Sequence, residues 1–208
     1  MKHAAALDHL RAADPKLAAV IDAVGACRLT TARMQSPYEA LFESIVYQQL
    51  NGKAAATILG RVKTSFGDGA SFPAPDAVIV APDEQLRGAG LSRAKTAAVK
   101  DLAAKAQSGH VPSLAALRKM DDDAIVEHLT AIRGIGRWTV EMMLIFRLGR
   151  PDVLPVGDFG VRNGFRIAYG KRAMPTPAQL ARHGERWRPH RTVASWYLWR
   201  AVDLSRGK

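Results

Sequence analysis

The chain has 208 residues, of which 48% are hydrophobic, and a formal net charge of +11. This length and apolar content allow one or two compact domains with a buried core. The single cysteine, Cys27, excludes an intrachain disulfide framework, a four-thiolate metal site and an iron–sulfur cluster. No apolar run is long enough for a membrane span, and the N-terminus lacks the layout of a signal peptide. We therefore expect a cytoplasmic protein with no membrane partner.

The positive charge is concentrated near the C-terminus. Residues 1–146 hold 17 Lys/Arg against 15 Asp/Glu, whereas residues 147–208 hold 13 against 4. A local excess of this kind is typical of a surface that binds phosphates, although basic residues can also simply aid solubility. The six histidines show no metal-ligand spacing, so we expect no transition-metal cofactor.

Most segments of the N-terminal half have helical patterns. Asp14-Pro15 and Ser36-Pro37 each combine an N-cap residue with a proline at the first helical position, which predicts a helix start at each pair. Polar residues 28–36 are predicted to be a linker. Residues 78–80 are β-branched, but the prolines around them favour a short helix over a strand.

The C-terminal half is also predicted to be helical. A helix is expected over 91–107, two more on either side of residues 134–136, one after Asp158 up to Tyr169, and an aromatic-rich helix ending near Trp199. The pattern predicts an all-α protein of two helical lobes with a cleft between them. As a single unit covering 1–208, its subdomains would be residues 1–36 plus 150–208, and residues 37–149.

Gly134-Ile135-Gly136 joins two apolar helical patterns. Glycines two apart allow a tight reversal and leave backbone N–H groups uncovered at the start of the second helix. Such a helix start favours an anion, because the free donors and the positive end of the helix dipole point the same way. For a chain this basic, the expected anion is nucleic acid. After the second helix, a loop with Pro151, Pro155 and Gly157 delivers the carboxylate of Asp158.

These segments resemble a known family. Ile132–Val140 followed by Leu154–Arg162 is similar to the helix-hairpin-helix DNA glycosylases, and most similar to the bacterial 3-methyladenine DNA glycosylase II group. The resemblance extends from about Asp14 to Arg200. Asp158 lies 20 residues after Trp138, which is the spacing between hairpin and essential aspartate in that family.

The resemblance implies a role for several groups of residues. Asp158 would be catalytic, stabilising the positive charge that develops on the sugar as the N-glycosidic bond breaks. The hairpin would bind the phosphates of duplex DNA that contains damaged bases. The residues implied in DNA binding are Arg133, Gly134, Ile135, Gly136, Arg137 and Thr139, and those in the base pocket are Trp138, Met142, Phe159 and Trp199.

Trp138 stands where the family members that also cut the strand carry a Schiff-base lysine. The resemblance therefore implies a monofunctional enzyme without lyase activity. Large π faces suit an alkylated purine, which can carry a formal positive charge. Met142 replaces a tyrosine found in the family, and this difference leaves the range of substrates open.

The resemblance also implies a wedge and an ion site. One of Gln49, Leu50 and Asn51 would fill the gap left by a base that has rotated out of the duplex, as inserted side chains do. The backbone carbonyls of Thr130, Ile132 and Ile135 would hold a monovalent cation, Na⁺ or K⁺, and no cofactor would be required. The protein would act as a monomer in the bacterial cytoplasm, associated with the nucleoid through DNA.

The leading hypothesis is thus a monofunctional DNA glycosylase that excises alkylated purines, such as 3-methyladenine and 7-methylguanine, in base excision repair. One alternative is a glycosylase for oxidised or deaminated bases, which would share the scaffold and differ in the pocket. A non-catalytic hairpin module that binds DNA is another alternative, but a carboxylate facing phosphates brings it no benefit. A helical protein-interaction domain with incidental charge is a third.

Overall fold

A computed structural model describes residues 3–34 and 36–207. Those residues form helices and no β-strand, so the predicted all-α class is confirmed. The helices are α1 (Ala4–Ala13), α2 (Pro15–Val24), α3 (Pro37–Tyr47), α4 (Gly52–Phe66), α5 (Pro75–Val80), α6 (Asp83–Gly88), α7 (Arg93–Gln107), α8 (Leu114–Lys119), α9 (Asp122–Thr130), α10 (Arg137–Met143), α11 (Phe159–Ala168), α12 (Pro177–Gly184) and α13 (Arg191–Ser205). A π-helical turn, Leu144–Leu148, continues α10, and a 3₁₀ turn, Glu185–Trp187, follows α12. No described helix has the length and apolarity that crossing a membrane requires.

The predicted helix starts are largely confirmed. Asp14 accepts hydrogen bonds from the first-turn N–H groups of α2, and Ser36 accepts one from that of Glu39 in α3. Residues 75–80 form a short helix, as the flanking prolines predicted. Thr176 closes a reciprocal capping box with Gln179 at the start of α12. Local capping chemistry therefore fixes where these helices begin.

The chain divides into two compact units. One contains Met1–Ala32 and Glu141–Lys208, and the other contains Arg33–Val140. These bounds differ from the predicted subdomains in two places. Residues 33–36, predicted in the first unit, belong to the second, and residues 141–149, predicted in the second, belong to the first. The second division falls inside α10, and an unbroken helix carries no sequence signal for a domain boundary. Phe146 lies just after that division, and its carbonyl accepts the N–H of Ala32. This hydrogen bond joins two parts of the first unit that are distant in sequence.

The first unit is built on a close contact between α11 and α13. A Cβ placed on Gly164 would lie only 1.9 Å from the carbonyl oxygen of Leu198, and one on Gly160 would lie 2.8 Å from the Trp199 ring. These two glycines are four residues apart, so they share one face of α11. Their missing side chains let the two helices approach closely, which sets the position of everything at the start of α11.

A buried carboxylate organises the rest of this unit. Asp14, which is 2% exposed, accepts hydrogen bonds from the hydroxyl of Tyr169, the ring of His183 and the indole of Trp187. Burial disfavours the ionised carboxylate, but the hydrogen bonds from His183, Tyr169, Trp187 and the Leu17 N–H outweigh it and hold the pKa of Asp14 far below its usual range. The N-terminal helices are thereby bonded to residues near the C-terminus.

The depressed pKa predicts how stability depends on pH. Because folded Asp14 binds its proton less readily than the unfolded chain, its contribution is complete above the ordinary aspartate pKa of 3.8 and is lost progressively as the pH falls below it. Asp14→Asn should lower the free energy of unfolding by roughly 2–4 kcal/mol at pH 7. In urea unfolding, the difference between the two proteins should shrink at pH 3.

The control is Asp22→Asn, which removes an exposed carboxylate paired with Arg11. Exposed pairs contribute little, so this variant should unfold like the unmodified protein at both pH values. An Asp14→Asn deficit of equal size at pH 7 and pH 3 would contradict the role of ionised Asp14.

Candidate functional site

The hairpin turn lies between α9 and α10 in the second unit. Gly134 has a φ of +79°, in the left-handed region, and a Cβ placed there would lie 3.0 Å from the Cβ of Ala98. Gly134 is thus required both by its backbone conformation and by the close approach of α7. Gly136 has open space around the position of a Cβ. The N–H of Ile135 donates to the carbonyl of Ile132 over 3.0 Å and closes the turn.

Exposure separates the residues of the hairpin into two groups. Arg133, Gly134, Gly136 and Arg137 are exposed, and so is Trp138, at 51%. The side chains of Ile132, Ile135 and Thr139 are buried. The outer surface of the turn therefore offers two guanidinium groups and backbone N–H groups, whereas the buried residues can reach a ligand only through their main chain.

Residues Gln49–Asn51, which we call the wedge segment, connect α3 to α4 in the same unit. Gln49 has a φ of 57°, which is unusual for a residue with a side chain and marks a sharp turn. Asn51 is the N-cap of α4, and its side-chain oxygen accepts the N–H of Ala54 over 2.9 Å. Leu50 is an exposed large hydrophobic residue at the tip of the segment, with 39% of its surface accessible.

In the first unit, the loop that leads to Asp158 is fastened to the start of α13. The guanidinium of Arg191 donates to the Asp152 carboxylate, with a shortest distance of 2.7 Å. The Thr192 hydroxyl donates to the carbonyl of Arg150 over 2.7 Å and accepts the N–H of Val153 over 2.9 Å. Hydrogen bonds from the first two residues of α13 thus fix the loop between residues 149 and 158, which has no regular structure, a few residues before Asp158.

Asp158 is the N-cap of α11. Its Oδ1 accepts the backbone N–H of Val161 over 2.7 Å and the indole N–H of Trp199 over 2.9 Å. The indole ring of Trp199 stacks on Phe146, with ring centroids 5.8 Å apart. Two donors on one oxygen fix the orientation of the carboxylate, and the stacked ring fixes the orientation of the indole donor.

The remaining predicted pocket residues have different surroundings. Phe159 directly follows Asp158 and is 64% exposed, and Met142 is half-buried in α10. Trp199 is half-buried and donates to Asp158, so its predicted role as a pocket wall is accompanied by a direct contact with the carboxylate. Lys95 donates its ammonium protons to the carbonyls of Val46 and Gln48, both over 2.7 Å.

Sequence reasoning missed three residues that shape these sites. They are Phe146, which supports Trp199, Gly160, which makes room for the indole, and Asp101, which accepts the N–H of Arg133 over 2.7 Å. The i, i+4 pair of glycines in α11 was a signal for Gly160. The other two residues depend on contacts between residues distant in sequence.

Among residues 3–34 and 36–207, no group of three His, Cys, Asp or Glu side chains is arranged to hold a metal ion. The carbonyls of the turn are a different kind of site. Thr130 is the last residue of α9, where carbonyls lack an intrahelical partner, and the carbonyl of Ile132 keeps one lone pair beyond its bond from Ile135. Backbone carbonyl oxygens are the type of ligand that monovalent cations take, and the ion site stays a prediction.

These features accompany a clear family relationship. The chain belongs to the HhH-GPD superfamily of base excision DNA repair proteins, whose family model matches residues 42–189. The resemblance inferred from the hairpin and from Asp158 is therefore confirmed at the level of the family.

Within this family, the chain is similar to proteins named as 3-methyladenine DNA glycosylases. DNA-3-methyladenine glycosylase 1 of Schizosaccharomyces pombe is 36% identical over 198 residues, which cover 95% of this chain and 86% of that protein. The structure of the S. pombe enzyme in complex with abasic DNA matches 96% of this chain and 97% of that one, with a TM-score of 0.83. A DNA-3-methyladenine glycosidase from Bacillus halodurans, also 36% identical, matches 98% of this chain and 91% of its own with a TM-score of 0.85.

The two glycines of α11 yield a prediction that separates function from stability. Gly160→Ala would place a methyl group 2.8 Å from the Trp199 ring and 3.1 Å from Oδ1 of Asp158, so the indole must move away from the carboxylate. We expect the folded variant to lose about 10- to 100-fold of the activity that depends on Asp158. Gly164→Ala instead forces the helices apart and should lower the free energy of unfolding by roughly 1–3 kcal/mol or more.

Thermal unfolding and the activity assay described below distinguish the two effects. Trp199→Phe, which keeps a ring but removes the indole N–H, should resemble Gly160→Ala in activity. Full activity in both of these variants would show that the hydrogen bond from Trp199 to Asp158 is unimportant.

Proposed function

We propose that this protein is a monofunctional DNA glycosylase that releases alkylated purines, of the 3-methyladenine and 7-methylguanine type, from duplex DNA. The observation that carries the proposal is the Asp158 carboxylate, oriented by two N–H donors in a chain 36% identical to 3-methyladenine DNA glycosylases. Release of the base leaves an abasic site for base excision repair. The protein would act as a monomer in the cytoplasm.

The first step is to hold DNA. The exposed guanidinium groups of Arg133 and Arg137 and the N–H groups of the hairpin turn suit phosphate oxygens, which are contacted without regard to base sequence. A monovalent cation on the carbonyls of Thr130, Ile132 and Ile135 would add positive charge beside the bound phosphate.

The second step is to expose the glycosidic bond, which is out of reach while the base is stacked. The wedge segment supplies an apolar side chain for the gap, and Leu50 is the candidate that the surroundings favour. The side chain of Asn51 is engaged in capping α4, whereas Leu50 is exposed. Inserting an apolar side chain offsets part of the cost of unstacking, as it does in other proteins that intercalate side chains.

The third step is bond cleavage. Alkylation at N3 or N7 gives the purine a positive charge, so the base departs as a neutral molecule with the bonding electron pair and needs no proton donor. The sugar is left as an oxocarbenium-like cation, which the fixed carboxylate of Asp158 stabilises electrostatically. Water then adds at the anomeric carbon, and its proton passes to Asp158 or to solvent.

Base recognition would use the predicted aromatic residues. Trp138 and Phe159 each expose more than half of their surface, and a π face attracts a cationic purine more strongly than a neutral one. Met142 would adjoin the base in the family's arrangement. This preference for positive charge favours alkylated purines over oxidised or deaminated bases.

The most direct test of the proposed function is to measure base release from methylated duplex DNA. Release should exceed that from duplexes containing uracil, hypoxanthine or 8-oxoguanine. Asp158→Asn should reduce release by at least ~100-fold, because it removes the charge that stabilises the transition state. Duplex affinity should be unchanged or higher, since a carboxylate facing phosphates is gone. An Asp158→Asn variant with nearly full activity would refute the catalytic role.

The absence of lyase activity is a separate prediction. Trp138 has no amine, and Lys95 is bonded to two backbone carbonyls in the second unit, so neither is suited to imine formation. Borohydride added during turnover should trap no covalent protein–DNA adduct, and the product strand should break only after alkali or heat. An adduct that disappears in Lys95→Ala would overturn the monofunctional assignment.

A further inference from the structure

One face of α7 contacts both DNA-directed parts of the second unit. Lys95, Ala98, Asp101 and Lys105 are spaced three or four residues apart and therefore lie along the same side of the helix. Lys95 reaches the end of α3, whereas Ala98 and Asp101 reach the hairpin turn. This face, which we call the α7 brace, connects the two segments through one rigid element.

At one end of the brace, Lys95 fixes the residues that lead into the wedge segment. Its ammonium donates to the carbonyls of Val46 and Gln48, both over 2.7 Å. These carbonyls are at the C-terminus of α3, where a cation is favourable and carbonyls lack helical partners. Partial burial of the ammonium in this contact lowers the pKa of Lys95.

At the other end, Asp101 fixes the hairpin turn. Its carboxylate accepts the N–H of Arg133 over 2.7 Å, and the ammonium of Lys105 donates to both of its oxygens over 2.6 and 2.7 Å. Burial opposes ionisation, but the bonds from Lys105 and Arg133 outweigh it and lower the pKa of Asp101. Lys105 also neutralises a carboxylate that would otherwise repel phosphate near the turn.

Gln48 joins the two segments directly. It directly precedes the wedge segment, and its side-chain amide donates to the carbonyl of Gly134 over 2.8 Å across 86 positions of sequence. Its own carbonyl is one of those held by Lys95. Lys95 therefore orients the residue whose side chain contacts the hairpin.

We propose that Gln48 and Lys95 are positioning residues for base flipping, which hold the wedge segment in a fixed register with the hairpin turn. A phosphate bound by the hairpin then determines where Leu50 enters the duplex. Without this link, the hairpin still binds DNA, but the wedge occupies a range of positions and enters the stack less often. This inference rests on the proposed function and extends it to residues that would act through the wedge segment and the hairpin turn.

The test uses Gln48→Met and Lys95→Met, which remove the donors while retaining side chains of similar length. Two quantities are compared with the unmodified protein: single-turnover release of 7-methylguanine at saturating enzyme, and fluorescence of 2-aminopurine beside an uncleavable abasic analogue, which reports wedge insertion. Release should fall about tenfold or more, because small displacements of a positioning group are costly. The fluorescence change should fall with it.

Duplex affinity should stay within about twofold of the original, since phosphate contacts supply it. Lys95→Arg, whose guanidinium can donate to both carbonyls, should restore release.

Two matched controls remove equivalent bonds elsewhere in the unit. Gln85→Met removes a glutamine amide that donates to the carbonyl of Ser65 over 2.7 Å, and Lys63→Met removes an ammonium that donates to the carbonyl of Ala70 over 2.9 Å. Their thermal stability should fall as much as that of the test variants, with no loss of release or fluorescence. If Lys95→Met does not fold, the substitution Gln48→Met, at a half-buried residue, still decides the question.

Unchanged release and fluorescence in Gln48→Met would overturn the proposal. A loss of duplex affinity as large as the loss of release would also overturn it, because the residues would then act only by maintaining the hairpin. If the unmodified protein releases no alkylated base, the proposed glycosylase function fails. The fluorescence comparison on the abasic analogue still tests the link between wedge and hairpin in that case.

Discussion

The two hydrogen bonds on Oδ1 of Asp158 depend on the close packing of α11 against α13. The Val161 N–H comes from the first turn of α11, and the indole N–H of Trp199 comes from α13, so the carboxylate is oriented only while both helices keep their places. Gly160 and Gly164 permit that distance. A carboxylate that must stabilise a transient cation gains from being fixed beforehand, because no reorganisation is then needed during the reaction.

In the proposed function the second unit has a different task, since it would hold the DNA duplex and separate its stacked bases. Hydrogen bonds connect its hairpin turn to Gln48, which directly precedes the wedge segment, and connect α7 to the end of α3 and to the hairpin turn. Such bonds are directional and therefore fix distance and orientation more sharply than apolar packing does. Basic side chains have two different roles in this unit. The guanidinium groups of Arg133 and Arg137 are exposed and can contact phosphate, whereas Lys95 and Lys105 donate hydrogen bonds to groups of the unit itself.

The glycosylase function is supported both by the similarity to known relatives and by the chemistry of the site. The family model and the 36% identical glycosylases identify the class of reaction. In the proposed reaction one aspartate would suffice, because a cationic alkylated purine is already a good leaving group. The geometry also gives an account of Trp199 that extends the expected pocket role: the residue orients the carboxylate.

The sequence alone determined the all-α class, the capped helix starts, the hairpin around Gly134, and Asp158 at the start of a helix, because each follows from local chemistry or short spacing. It could not locate the unit boundary inside α10, since a continuous helix has no local break. Only the tertiary structure decided that Trp199 donates to Asp158, that Gln48 bonds to Gly134, and that Lys95 is engaged with carbonyls. Those contacts join residues 41 to 86 positions apart, and their geometry is set by how helices pack rather than by neighbouring residues.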